Sequence, residues 1–166
     1  MAMNSLHDLL VDELRDIYHA ERQLVKALPK VAKSAKSSQL RQAFEHHFEE
    51  TKHHVERLDQ AFKKLGTPAR GQRCEAMQGL IQEAEELIDE ITTPEVLDVA
   101  LITAAQKVEH YEISSYGSAC ALAESLGQKE VVELLKKTLD EEKHADQKLN
   151  QIALSDVNQS ALKVAA

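Results

Sequence analysis

Two short stretches pair a carboxylate with an imidazole at helical spacing: Glu50-Thr51-Lys52-His53 and Glu141-Glu142-Lys143-His144. In a Glu-x-x-His segment the two side chains lie one turn apart on one helix face. Dinuclear metal sites in helix bundles are built from this piece. With 19 Glu and 8 His in 166 residues, about one such pair is expected by chance, so the motif gains weight only from partners. The partners are present. Glu21 lies 29 residues before Glu50, and Glu112 lies 29 residues before Glu141. A shift of 91 residues therefore superposes Glu21 on Glu112, Glu50 on Glu141 and His53 on His144.

The same shift matches Leu6 with Leu97, Leu10 with Leu101, His19 with His110, Lys52 with Lys143, Leu58 with Leu149 and Gln60 with Gln151. The two halves read as copies of one helix–turn–helix unit. Leu10, Leu14, Ile17, Glu21, Leu24, Leu28 and Val31 alternate steps of four and three, the stripe of a helix facing a core. Glu21 stands where that stripe calls for an apolar residue. A buried carboxylate needs a cation, a proton or a metal.

The expected elements follow from such stripes and their punctuation. A first helix starts after Asn4 or Ser5, kinks near Pro29 and fades by Ser37, and a second runs from Ser38 to Leu65. Gly66-Thr67-Pro68-Ala69-Arg70-Gly71 is a loop. A shorter helix from Cys74 to Ile91, acidic on one face, has no counterpart in the repeat and carries the chain along the bundle. Thr93-Pro94 opens the next long helix, which ends at Gly127, and a last helix spans Gln128 to Ala153. The fold class is all-α, a four-helix bundle built from two repeated helix pairs. One domain covers residues 1–155, and residues 156–166 form a polar, flexible tail.

Composition excludes several functions. The net charge of −8 argues against nucleic acid, which demands a basic face. No apolar run approaches the roughly 20 residues that span a bilayer, and the N-terminus lacks the apolar core of a secretion signal. Cys74 and Cys120 form neither a disulfide framework nor a metal spacing, as suits a reducing cytoplasm.

The expected ligand set is Glu21, Glu50, His53, Glu112, Glu141 and His144. Four carboxylates balance two divalent cations, and the donor set suits iron or manganese. His54 competes with His53, since periodicity does not rank them; the repeat favours His53, because His54 falls opposite Ala145. Glu109, three residues before Glu112, is either a further ligand or an acceptor for a histidine N–H. Tyr18, its mate in the repeat, is then a hydrogen-bond or one-electron donor near the opposite ion, or else plain core. Tyr111 and Tyr116 are read as packing.

Asp16-Ile17-Tyr18-His19-Ala20-Glu21-Arg22-Gln23-Leu24, Glu49-Glu50-Thr51, the segment Ala104 to Ile113 and Leu139-Asp140-Glu141-Glu142-Lys143 resemble the YciE/YciF family of bacterial stress proteins. The resemblance extends from Leu6 to Ile152. It implies a ferritin-like four-helix bundle with an extra short helix, commonly a homodimer and linked to stress responses, with no settled reaction. Members of that family often lack one or both histidines at the positions of His53 and His144, which this chain has. The functional expectation is a di-iron, manganese or mixed site reacting with peroxide or dioxygen, or oxidising Fe(II). The alternative is a non-catalytic stress protein whose metal is structural or absent. Iron storage would require a hollow cage of many subunits.

Overall fold

The structure, a computed structural model, describes residues 3–164. Its regular elements are α1 (Leu6–Ser34), α2 (Ser38–Lys64), α3 (Glu75–Glu90), α4 (Pro94–Ser125) and α5 (Lys129–Ile152). A π-helical turn (Ala153–Val157) and a short α6 (Asn158–Val164) follow. The long helices α1, α2, α4 and α5 form the bundle, with α1 against α2 and α4, and α5 against α2 and α4. Short turns join α1 to α2 and α4 to α5, whereas α2 reaches α4 by a long crossover that includes α3. This is the connectivity of a ferritin-like bundle.

Local chemistry sets the helix ends. Ser5 caps α1 by accepting from the Asp8 amide at 3.1 Å. Helix α1 runs on through Pro29 to Ser34. After α2 and α4 the chain turns in the left-handed region at Gly66 (φ 64°) and Gly127 (φ 68°). At both places the next two amides reach back to the last-turn carbonyls: Gly66 to Lys63, Thr67 to Phe62, Gly127 to Glu124 and Gln128 to Ala123. That pattern satisfies the orphan carbonyls and suits glycine, which has no Cβ to clash there. Thr93 occupies the cap position of α4 and Pro94 its first turn, though the Thr93 hydroxyl makes no capping bond.

The α1–α2 turn is clamped from a distance. Asp98 on α4, 3 % exposed, accepts from the Lys36 and Ser37 amides at 2.8 Å each. A charge thus satisfies two amides at the start of α2, where the helix dipole also favours it. The expected polar tail is helical as far as Val164, and its last two residues lie outside the described ones. Val157 is 2 % exposed and joins the core beside Ile152, while Asp156 accepts from Ser37 at 3.4 Å. Val157 and the Asp156–Ser37 contact join that segment to the bundle.

The core is in two parts. Leu10, Leu14, Ile17, Leu58, Phe62, Tyr116 and Leu135 fill one end. Leu24, Leu28, Phe44, Met77, Leu101, Val108 and Leu149 fill the other. On every long helix the break falls at mid-span: between Ile17 and Leu24, between Phe44 and Leu58, between Val108 and Tyr116, and between Leu135 and Leu149. What occupies that layer is polar.

Asp98→Ala strands two amides and removes a charge-assisted cap, so it should cost about 1–3 kcal/mol. In a domain of this size that lowers the melting midpoint by roughly 2–4 °C per kcal/mol, to be read by calorimetry. An unchanged midpoint would refute the clamp.

Candidate metal centre

Six ionisable side chains meet in the mid-span layer: Glu21 from α1, His47 and His54 from α2, Glu109 and Glu112 from α4, and Glu142 from α5. None is more than 6 % exposed. One donor atom each from His47, Glu109, Glu112 and Glu142 lies within 4.8 Å of the others, and the same holds for Glu21, His54 and Glu142. Glu142 belongs to both groups. His54 Nδ1 stands 3.2 Å from Glu21 Oε1 and 3.0 Å from Glu142 Oε1. His47 Nε2 stands 3.3 Å from Glu109 Oε1 and 3.6 Å from Glu142 Oε2.

These approaches lack hydrogen-bond direction. Nine buried side-chain N or O atoms among the described residues have no hydrogen-bond partner, and eight of them belong to these six residues. They are Glu21 Oε2, His47 Nε2, His54 Nδ1, Glu109 Oε2, and both oxygens of Glu112 and of Glu142. Unpaired buried acceptors are rare in a folded protein because each forfeits its hydration. Nearly all of them cluster at one point, in groups of donors close enough together to hold a cation.

An outer ring fixes the histidines. His54 Nε2 faces Glu141 Oε2 at 3.0 Å; the carboxylate only accepts, so Nε2 carries the proton and Nδ1 turns inward. Glu141 is itself gripped by Arg57 at 2.5 and 2.9 Å. Glu50 Oε2 lies 3.4 Å from His47 Nδ1 and likewise leaves Nε2 for the interior. Tyr116, fully buried, donates to Glu21 Oε1 at 2.5 Å. Orientation of metal-binding histidines by an outer carboxylate is the usual second layer of such sites.

The fields follow this geometry. Burial disfavours the His54 imidazolium, but Glu21, Glu141 and Glu142 outweigh it and push it up to about 12. Burial acts the same way on His47, which Glu109, Glu142 and Glu50 push up to about 10. Burial itself holds Glu109 and Glu112 well above the usual carboxylate range, with Glu142 adding to the effect. Glu142 is buried too, yet the two histidines hold it below that range. At Glu141 burial is overcome by the His54 and Arg57 hydrogen bonds, which bring it to about 2. Without metal, the layer therefore stores protons.

Of the expected set, the structure brings together Glu21, Glu112 and Glu109. Glu50 and Glu141, half-buried, sit outside the ring of donors and bond to the histidines. His53 and His144 are exposed, and His53 pairs with Glu56 at 3.1 Å. The physical reason is helix phase. Leu40, Phe44, His47, Thr51, His54 and Leu58 step by four and three along α2, so His53 is turned about 100° away from the core. On α5 the same steps run Leu135, Thr138, Glu142 and Leu149, placing Glu142 inside and His144 outside. Tyr18 is buried against Phe62 with Arg22 over its ring, so it belongs to the apolar end. Tyr116, read as packing, is the tyrosine that touches the cluster.

Fold and cluster together define a ferritin-like helical bundle with a buried His/Glu layer able to hold metal. Residues 5–162 match a family described as a domain of unknown function (DUF892), and the chain belongs to that family. It is 46 % identical over 162 residues to Protein YciF of Escherichia coli, spanning 97 % of this chain and 98 % of that one. The crystal structure of the E. coli stress protein YciF superposes with a TM-score of 0.90, covering 94 % of this chain and 99 % of that one. A chain described as YcfI, a putative structural protein from Rhodopseudomonas palustris, is 50 % identical with a TM-score of 0.87, covering 89 % and 94 %. A Xanthomonas campestris protein shares the fold at 18 % identity and a TM-score of 0.74, over 98 % and 100 % of the two chains.

Metal-free protein should lose stability as pH rises. His47 and His54 hold protons in the folded state to about 10 and about 12. Unfolded, they lose them near 6.5, so their stabilisation is full below that value and fades as pH climbs through the folded ones. Glu109 and Glu112, also raised, act in the same direction from about pH 4.5 upward. The urea midpoint of chelator-treated protein is expected to fall between about pH 6 and about pH 9. The fall should flatten in His47→Gln/His54→Gln; a midpoint that rises over that range would contradict the proton-storing layer.

Proposed function

We propose that the six buried residues hold two divalent iron or manganese ions, or one of each, and that the pair serves oxidant defence. Glu142 with Glu21 and His54 would hold one, and Glu142 with His47, Glu109 and Glu112 would hold the other. The observation that carries this reading is the set of eight unpaired donor atoms converging at mid-span. Four carboxylates offset two dications, which answers the burial penalty, and a mixed O/N donor set suits iron and manganese rather than copper.

When bound and reduced, such a pair would supply the two electrons that, with two protons, convert hydrogen peroxide to two waters; Fe(II) oxidation at the same residues would need peroxide or dioxygen as the electron acceptor. The side chains do the rest. Glu109 and Glu112, which burial keeps protonated without metal, give up protons as the ions bind. Glu141 with Arg57, and Glu50, hold the imidazoles in the ligating tautomer. Tyr116 fixes the Glu21 carboxylate through its hydroxyl. The setting fits a stress protein, as the E. coli relative is described.

The chain is proposed to work in the cytoplasm as a homodimer. Among the described residues no helix is long and apolar enough to cross a membrane. A second reading, a non-catalytic stress protein on this scaffold, is favoured by the description of the R. palustris relative as a putative structural protein.

Elemental analysis of protein purified without chelator, followed by an assay of peroxide consumption by the loaded protein, separates the two: metal without peroxide consumption would leave the non-catalytic reading. About two iron or manganese ions per chain are expected, with Glu142→Ala losing both and His54→Ala losing one. Binding should release protons and weaken as pH falls, because metal and protons compete for the same lone pairs. Calorimetry in buffers of different ionisation enthalpy reads that release. No metal in the native protein, and none taken up from anaerobic Fe(II) or Mn(II), would leave the structural reading.

A further inference from the structure

A pocket of about 300 Å³ opens between α2 and α5 and ends on His47 and Glu109. Along its wall runs an unbroken series of metal-ligating groups. His46 Nε2 lies 3.2 Å from Glu50 Oε1, Glu50 Oε2 lies 3.4 Å from His47 Nδ1, and His47 Nε2 lies 3.3 Å from Glu109 Oε1. Side-chain exposure falls along it, from 72 % at His46 through 20 % and 7 % to 3 % at Glu109. The two innermost residues each aim an unpartnered atom into the interior, His47 Nε2 and Glu109 Oε2. His144 lines the same pocket from α5.

We propose that this pocket is the route by which a divalent transition-metal ion passes from solvent to the buried layer, with His46 and His144 as its capture site. The proposal rests on the metal reading above. A hydrated dication cannot shed its waters at once without replacement ligands, and the series offers nitrogen and oxygen donors at each depth. Glu50 is the pivot. Its Oε1 faces the outer histidine while its Oε2 holds the inner ring by Nδ1, so an ion taken from His46 is delivered beside the ring whose Nε2 faces the layer. The other approach to His47 and Glu109 is a cavity of about 50 Å³ beneath α3, walled by Leu24, Leu28, Leu80, Ile81 and Leu101. Its one carboxylate short of Glu109, Glu85, is paired with Lys30 at 3.2 Å, and the wall from there to His47 is apolar. Lys148 also lines the α2–α5 pocket and sets a positive charge in the ion's path, which gives the route an electrostatic sign.

The test mixes metal-free protein with Mn(II) without oxygen and follows the loss of the aqueous Mn(II) resonance by freeze-quench EPR. His46→Ala/His144→Ala should slow uptake by about tenfold with the final Mn(II) per chain unchanged. Lys148→Glu should speed it severalfold, an effect that shrinks in high salt. Rates equal to the parent protein's in both variants, with normal loading, would overturn the route and leave the centre intact. A lower final stoichiometry in the double histidine variant would make those residues permanent ligands and overturn the transit role. Failure of the parent protein to take up Mn(II) would overturn both the route and the metal reading.

Discussion

A carboxylate in an apolar interior must be protonated, paired or bound to a cation, and this bundle buries four beside two imidazoles in one layer. Everything near the layer is arranged to make that tolerable. Two apolar half-cores, one above and one below, hold the helices together so that the middle need not contribute. The protons on His47, His54, Glu109 and Glu112 neutralise part of the charge without metal. They do not supply hydrogen-bond geometry, and the donor atoms stay unpaired. The layer is thus folded around a need that its own side chains leave unmet.

The repeat explains how such a layer arises and where it has diverged. The 91-residue shift relates Glu21 to Glu112 inside the cluster, and Glu50 to Glu141 in the ring that orients the histidines. It breaks at the histidines. His47 falls opposite Thr138, His54 opposite Ala145, and Thr51 opposite Glu142. One half therefore supplies both imidazoles and the other supplies the shared carboxylate. Arg57 reinforces the asymmetry by joining Glu141 and Thr138 across α2 and α5. The two donor groups therefore have unlike surroundings.

Most of the fold was legible in the sequence because its signals are local. The 4-3 stripes, the paired glycines, Thr93-Pro94 and the 29-residue interval gave the four helices, the crossover and the place of the site. The buried donor residues were less legible, for a physical reason. The Glu-x-x-His motif ranks residues by spacing within one helix, whereas burial is decided by phase against the other three. In the folded bundle the buried row on α2 runs Leu40, Phe44, His47, Thr51, His54 and Leu58, and that on α5 runs Leu135, Thr138, Glu142 and Leu149. Periodicity did not rank His53 against His54, and the 91-residue repeat and the Glu-x-x-His spacing moved the expectation one residue off, to His53 and Glu141. Tyr116 was beyond reach, since its bond to Glu21 crosses from α4 to α1 and leaves no periodic trace.

The asymmetry of the cluster matches an asymmetry of cover. Helix α3 lies over α1 and α4 and is tied down by Lys30–Glu85 and Lys107–Glu83. That side presents leucines and isoleucines to the interior. The α2–α5 side has no such cover, and it is the side that carries His46, Glu50, Glu141 and His144. A buried charged layer needs one face sealed, to keep the dielectric low and the outer hydrogen bonds strong. On the other face the pocket between α2 and α5 brings solvent down to His47 and Glu109. The crossover that a four-helix bundle of this connectivity requires is thereby given a second role. By covering one side alone, it decides from which direction the centre is approached.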